Sequence, residues 1–282
     1  MKWLITGAAG MVGTDLQEAL AIRGEDFLPL TRSDLDITDS RAVTAAAVEA
    51  RPSIIVNCAG YTRVDAAESN ERLANAINGS SVELLAQAAN AVDALLVHIS
   101  SDFVFDGRSQ RPYDINDATA PLSIYGRSKL LGEHAATHAR KHVIVRTSWL
   151  FGVNGANFVE AIRNQIQKGA NPIRVVNDQR GRPTYTRHLA DAIIRIANLD
   201  ARGMIHYADE PECTWYDFAC AIVEDLGSGV TVKPVATEDF PRPAARPAYS
   251  VLSTERYERL TGVSPASWRE GLRAYLQKDE EC

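Results

Sequence analysis

No stretch of this 282-residue sequence approaches the roughly 20 apolar residues needed to span a bilayer, so no membrane helix is expected. The apolar opening, Trp3-Leu4-Ile5, breaks at Thr6-Gly7, too soon for the core of a secretory signal. Cysteine is scarce: Cys58, Cys213, Cys220 and Cys282 are far apart, with no C-x-x-C and no histidine at metal spacing. That disfavours a disulfide scaffold or zinc site and fits free thiols in a reducing cytoplasm. Positive charge is in the minority, 30 Lys and Arg against 36 Asp and Glu, for a net charge of −6. A nonspecific nucleic-acid binder carries a basic face, so that class is disfavoured; a small anion held by a few local groups is not. The six histidines form no convincing pair with a carboxylate or cysteine, and His98 reads as a core residue. There is no internal repeat and no low-complexity linker.

What is present is ordinary for a globular chain, with 45% hydrophobic and 23% charged residues. The length allows one large domain or two modest ones. Apolar runs at Lys2–Thr6, 27–30, 54–58, 95–100 and His142–Thr147 read as strands. Between them, 12–22, Ser40–Ala50 (capped by Asp39 or Ser40), 72–90 and 125–138 read as helices. Unalternated strands separated by helices predict an α/β fold, a doubly wound parallel sheet of Rossmann type with its ligands at the strands' carboxyl ends. The pattern loosens after residue 150. Helices are expected at 158–168, 187–198, 215–226 and 268–277, short strands at Ile173–Val176 and beyond Gly203, and a proline-rich loop at 240–247. The expected division is a dinucleotide-binding unit, 1–148 with 173–203, and a smaller substrate lobe, 149–172 with 204–282.

The first strand runs into Gly7-Ala8-Ala9-Gly10-Met11-Val12-Gly13. Here Gly7 permits a tight turn, Gly10 lets backbone approach a diphosphate, and Gly13 lets the helix pack on the strand. The second strand ends in Leu30-Thr31-Arg32-Ser33, with no carboxylate before Asp34. Arg32, helped by Thr31 and Ser33, suits a 2′-phosphate, so NADPH is favoured with NADH possible; a solvated surface arginine is the alternative. Asp36-Ile37 reads as cover for the adenine, or as an ordinary capping loop. Small residues after the third strand, Ala59-Gly60-Tyr61-Thr62, leave room for the cofactor's ribose or serve close helix packing.

The fourth strand ends in Ser100-Ser101-Asp102-Phe103, and Tyr125-Gly126-Arg127-Ser128-Lys129 opens the next helix. Tyr125 and Lys129 stand at i and i+4, on one helix face. A carbonyl reductase needs a proton donor; a tyrosine has an ordinary pKa near 10, and a nearby ammonium stabilises its phenolate. Lys129 fits that role and that of a ribose clamp, while the Ser101 hydroxyl suits the substrate carbonyl. Alone, Y-x-x-x-K is weak; its position after the strand-end serines gives it weight. Trp149 can pack on nicotinamide or sugar, or fill a core. Asn157 opens a helix that can meet the nucleotide. Arg182, Arg242 and Arg246 can clamp a diphosphate or lie solvated on the surface.

These motifs, in this order, resemble the extended short-chain dehydrogenase/reductases, and more narrowly the dTDP-4-dehydrorhamnose reductase family. The resemblance continues through Leu35-Asp36-Ile37-Thr38, Asn57-Cys58-Ala59-Gly60-Tyr61-Thr62 with Val64-Asp65 and Glu68, and Ser100 to Gly107. Later it rests on Gly132-Glu133, Arg146-Thr147-Ser148-Trp149, Asn157-Phe158, Asp178 to Thr184, and Arg246-Pro247 with Ser250 and Leu252. It implies reduction of the C4 ketone of a dTDP-4-dehydro-6-deoxy-L-sugar, dTDP-4-dehydrorhamnose to dTDP-L-rhamnose. Tyr125 is then the proton donor, Lys129 the ribose clamp and Ser101 the carbonyl partner. Asp102, Phe103, Trp149, Asn157, Arg182 and Arg246 are the substrate contacts expected. The family more often has Thr at the place of Ser101 and Tyr at Phe103, which bears on the sugar more than on the reaction. Some members dimerise around a metal; Asp15 fits one such position but Arg187 replaces another carboxylate, so no metal is expected, and the chain is read as monomer or homodimer. The alternatives are a nucleotide-sugar epimerase or dehydratase, or a non-catalytic subunit resembling the methionine adenosyltransferase β subunit.

Overall fold

Neighbouring residues of the sheet's strands feed two different cores, and that alternation sets the architecture. The computed structural model describes residues 2–280, with side chains to residue 277; Met1 and Cys282 lie outside the described residues. The first half runs β1 (Lys2–Thr6), α1 (Met11–Ile22), β2 (Asp26–Leu30), α2 (Ser40–Ala50), β3 (Ile54–Asn57), α3 (Val64–Ala67), α4 (Glu71–Asn75), a π turn (Ala76–Ser80), α5 (Ser81–Val92), β4 (Leu95–Ser101), α6 (Ile124–Ala136) and β5 (His142–Thr147). Trp3, Ile5, Ile54, Val56, Leu95, Val97, Val143 and Val145 pack on one face, with α1. Leu4, Ile55, Leu96 and Ile144 pack on the other, against α2 and α5. Successive strand side chains point to opposite faces, so a strand apolar at every position must be covered on both. α2 starts where its cap predicts: the Asp39 carboxylate accepts from the Arg41 and Ala42 N–H groups.

The second half adds β6 (Leu150–Phe151), α7 (Phe158–Gln167), β7 (Ile173–Val176), β8 (Arg180–Gly181), β9 (Thr184–Tyr185), α8 (Thr186–Asn198), β10 (Gly203–His206), β11 (Cys213–Thr214), α9 (Trp215–Asp225), β12 (Val232–Val235), α10 (Glu255–Thr261) and α11 (Trp268–Glu280). The central sheet has six parallel strands in the order β10-β5-β4-β3-β1-β2. A third core, built on Phe151, Ile162, Ile173, Tyr185, Phe218, Ile222, Trp268 and Leu272, fills the C-terminal lobe.

Two segments sit elsewhere than the sequence reading placed them. β7 does not return to the central sheet but pairs with β12 in the lobe. Its burial explains this: Ile173 and Val175 are buried while Arg174 is exposed, so only one face is covered. β10, expected in the lobe, extends the central sheet beside β5. α8 packs its apolar stripe into the core shared with α1, and Tyr257 of α10 joins that core. The helix expected over 72–90 is broken by the π turn, which is central to the site. No helix of the described residues is long and apolar enough to cross a membrane. Cys58, Cys213 and Cys220 are free thiols.

Candidate active site

The chain winds from β1 to β2 on one side and returns to β3 on the other, so the carboxyl ends of β1 and β3 open a crevice. Gly7 has φ +65°, and a Cβ there would lie 2.5 Å from the Ala59 nitrogen. A Cβ on Gly13 would lie 2.5 Å from the Gly7 carbonyl oxygen. Protein packing therefore requires both glycines. Gly10 differs: its Cβ would meet only the Gly7 oxygen, at 3.3 Å. Gly10 is also the N-cap of α1, with no side-chain cap and no acidic residue in the first turn. The positive end of α1 is thus available to an anion.

At the end of β4, the Ser101 oxygen accepts from the Phe103 N–H and its hydroxyl donates to Asp102, at 3.0 Å. Its hydroxyl also lies close enough to the Tyr125 phenol to influence it. α6 brings Tyr125 there because Ser123 caps it through the Gly126 N–H and Glu68 accepts from the Ile124 N–H. Gly126 allows the contact, since a Cβ would fall 2.2 Å from the Phe103 carbonyl oxygen. Burial pushes the Tyr125 phenol up to about 12, with Ser101 opposing and the Asp102 charge adding to the rise. One turn on, the Lys129 ammonium donates to the Ile99 carbonyl at 2.6 Å. Burial lowers Lys129 to about 8, and the nearby Glu133 carboxylate resists the fall. Asp102 is buried and raised to about 6 by burial, against the opposing influence of the Ser250 and Ser101 hydroxyls.

Beside Tyr125 lies a cavity of about 210 Å³ lined by Phe103, Trp149, Phe158, Gln179, Trp215, Arg242, Arg246, Pro247 and Ser250. The Phe103 ring meets Tyr125 edge-on at 5.5 Å, and Trp149 stacks on Trp215 at 3.5 Å. One wall is aromatic and one rim carries guanidinium groups. The profile of the RmlD substrate binding domain matches residues 1–281. The chain belongs to that family. It is 40% identical to the spore coat polysaccharide biosynthesis protein SpsK of Bacillus subtilis over 278 residues, 98% of this chain and 97% of the relative. A dTDP-4-dehydrorhamnose reductase from Clostridium acetobutylicum superposes with a TM-score of 0.95 at 40% identity, covering 99% of this chain and 100% of the other. The Bacillus anthracis dTDP-4-dehydrorhamnose reductase, solved in complex with NADP, gives 0.94 at 39% identity, covering 98% and 99%.

Within this RmlD-family chain, the expected site residues separate into two groups. Ser101, Asp102, Phe103, Tyr125 and Lys129 come together, and Gly7, Gly10, Met11, Val12 and Gly13 form the turn and first turn of α1. Ala59, Gly60, Tyr61 and Thr62 follow β3 beside them, and the exposed Arg32 follows β2. The others have protein partners that the sequence did not reveal. Ser100 donates to buried Glu133 at 2.6 Å. Thr31 donates to Asp34, and Asp36 accepts from the Thr38 N–H and hydroxyl, so its local turn role is the one observed. Ile37 is buried in the core against α2. Asn157 caps α7 and donates to Gly152 and Gly155, its amide lying 4.0 Å from the Met11 sulfur. Arg246 is held by Asp65. Arg182 leaves the aromatic cavity altogether: it reaches Glu210 at 3.2 Å and lines a separate polar cleft with Asp114, Glu255 and Glu258. Arg187 pairs with Glu18 at 3.0 Å, and among the described residues no His, Cys, Asp and Glu group fit for a metal occurs.

Sequence reasoning missed Asn78. The π turn carries its amide to the Tyr61 backbone, accepting at 2.7 Å and donating at 3.0 Å, and to the Ser128 hydroxyl at 2.8 Å. It ties the loop after β3 to α6. A π turn leaves no periodic signature, and only glycines at the helix contact, Gly79 and Gly132, hinted at it. His98 is a core residue bonded to Asn57, in a ladder that continues to Thr6.

Proposed function

We propose that the chain is an NADPH-dependent reductase of a dTDP-4-dehydro-6-deoxy-L-sugar, converting dTDP-4-dehydrorhamnose to dTDP-L-rhamnose. The observation that carries this reading is the placement of Tyr125 beside Ser101 and the cavity wall Phe103, one helical turn from Lys129. The kinship with dTDP-4-dehydrorhamnose reductases, one of them an NADP complex, supports the substrate class and cofactor. The residues fit the cofactor: Gly7 and Gly13 shape a turn that leaves Gly10 and the α1 N-terminus for its diphosphate, and Arg32 suits a 2′-phosphate. When bound, the nicotinamide supplies hydride to the sugar's carbonyl carbon. As that C–H bond forms, the carbonyl π pair moves onto oxygen, which takes the Tyr125 proton, and Ser101 steadies the oxygen by hydrogen bonding. A phenol held up to about 12 stays protonated at neutral pH, as a donor must. Lys129 clamps the cofactor's ribose and offsets the charge left on Tyr125.

The aromatic wall takes the flat and apolar parts of the substrate, and Arg242, with Arg246 behind it, faces its diphosphate. In this reading β1 to β5, α8 and β10 form the cofactor unit, and the lobe built on α7, α9 and α11 forms the substrate unit. The enzyme works in the cytoplasm as a monomer or homodimer, with no nucleic-acid or membrane partner. Absorbance at 340 nm with a dTDP-4-keto sugar tests the reading. Stoichiometric NADPH consumption is expected. Turnover without net cofactor loss would make it an epimerase, and cofactor binding without turnover a regulatory subunit.

A further inference from the structure

Glu133 and Arg146 line neither the aromatic cavity nor the glycine turn, yet both are nearly inaccessible, 3% and 4% exposed. Two Arg146 N–H groups donate to the two carboxylate oxygens of Glu133, at 2.8 and 2.7 Å. Ser100 adds a third bond to the same carboxylate, at 2.6 Å. A buried ion pair is weak grounds for stability, because both charges lose their water; it is better examined for what it orients.

The register shows what is oriented. Ser100, Arg146 and His206 are direct neighbours across β4, β5 and β10. The His206 Nδ1 faces the Tyr113 carbonyl at 3.1 Å, and a carbonyl only accepts, so Nδ1 carries the proton. Its Nε2 then accepts from Arg146, at 3.3 Å. Burial and Arg146 hold His206 down to about 3, so it is neutral. The Arg146 guanidinium also lies over the Phe105 ring at 4.9 Å. This ladder crosses three strands and ends on one helix residue, Glu133, at i+4 from Lys129. Lys129 itself bonds Ile99, the residue before Ser100. Two successive positions at the end of β4 therefore grip two successive turns of α6.

We infer that Glu133 is a positioning residue: fixed by Ser100 and Arg146, it sets the seat of α6 on the sheet and keeps an anion one turn from Lys129. The charged and titratable groups around Lys129 are Tyr125 and Glu133 on its own helix and His98 from β4, with Asp102, just after β4, acting on Tyr125 and with Arg146 and His206 behind Glu133. Glu133 is the group that favours the ammonium, while burial works against it.

The inference rests on Lys129 serving as ribose clamp, and its test separates the two. Glu133→Gln keeps the shape and removes the charge. Its kcat is expected to fall about tenfold or more. The alkaline limb of kcat, and of NADPH affinity read by nicotinamide fluorescence, is expected to move below the wild-type position near pH 8. A folded Glu133→Gln protein with wild-type kcat and an unmoved limb overturns the inference. Should that variant not fold, Ser100→Ala decides, since it removes one grip without stranding a charge: lower kcat at unchanged KM supports the inference, and wild-type kcat overturns it. Failure of the parent reading is a different result, a Lys129→Met protein that binds NADPH as the wild type does at every pH.

Discussion

Arg246, in the proline-rich loop, grips Asp65 of α3 through both carboxylate oxygens, each at 2.9 Å. The Ala244 N–H donates to the same carboxylate, and Arg242 stands 3.6 Å away. This clamp fastens the loop that lines the cavity, and it holds the Asp65 carboxyl below its usual range. Asp65→Ala is therefore expected to raise KM for the sugar nucleotide by roughly tenfold while leaving NADPH affinity intact. Both partners keep more than a fifth of their surface exposed, so the stability loss is about 1 kcal/mol or less. Steady-state kinetics with urea titrations would show the split; an unchanged KM argues that the loop is held without the clamp.

Replacing Tyr125 by Phe removes the hydroxyl proposed as proton donor and keeps the ring against Phe103. Turnover should drop about 10²–10⁴-fold with NADPH binding retained. The check pairs the 340 nm assay with a cofactor titration, and near-normal turnover would discard the tyrosine mechanism.

Arg32 is exposed, and no carboxylate ends β2. Arg32→Ala should weaken NADPH binding about tenfold and leave NADH binding nearly unchanged. Equal loss for both cofactors would mean that Arg32 shapes the loop and does not read the phosphate.

Asp102 sets a pH dependence of stability. Its folded pKa of about 6 lies above the ordinary 3.8 because burial penalises the carboxylate. A raised pKa favours the protonated form in the folded state, so its contribution is full below about pH 3.8 and is lost as pH rises through about 6. The loss by pH 8 is of the order of 3 kcal/mol. Asp102→Asn should therefore be more stable than the parent at pH 8, with the advantage shrinking toward pH 4.5. Urea denaturation at the two pH values measures it; an equal difference at both would remove Asp102 as the cause.

The sequence was most legible where the signal is local. Strand–helix alternation announced the parallel sheet, and the cap at Asp39, the glycine turn and the i, i+4 pair Tyr125 and Lys129 each lie within one turn of chain. The misplaced β7 carried a readable warning, an exposed Arg174 between two buried neighbours, whereas β10 is too short to declare its sheet. The arginines were the hardest to read, because a guanidinium's role depends on which carboxylate reaches it. Arg246 meets Asp65 across 181 positions, and Arg182 turns toward Glu210 and away from the cavity.

By itself, then, the sequence determined the fold class, the crevice and the shared helix face of Tyr125 and Lys129, since periodicity and short spacing act through neighbouring peptide units. Only the tertiary structure decided which polar groups are spent on the protein. Ser100 goes to Glu133, Asn157 to the cap of α7, and Asn78 to Tyr61 and Ser128. Buried hydrogen-bonding groups must find partners, and those partners are chosen by packing between distant segments, which no local pattern encodes.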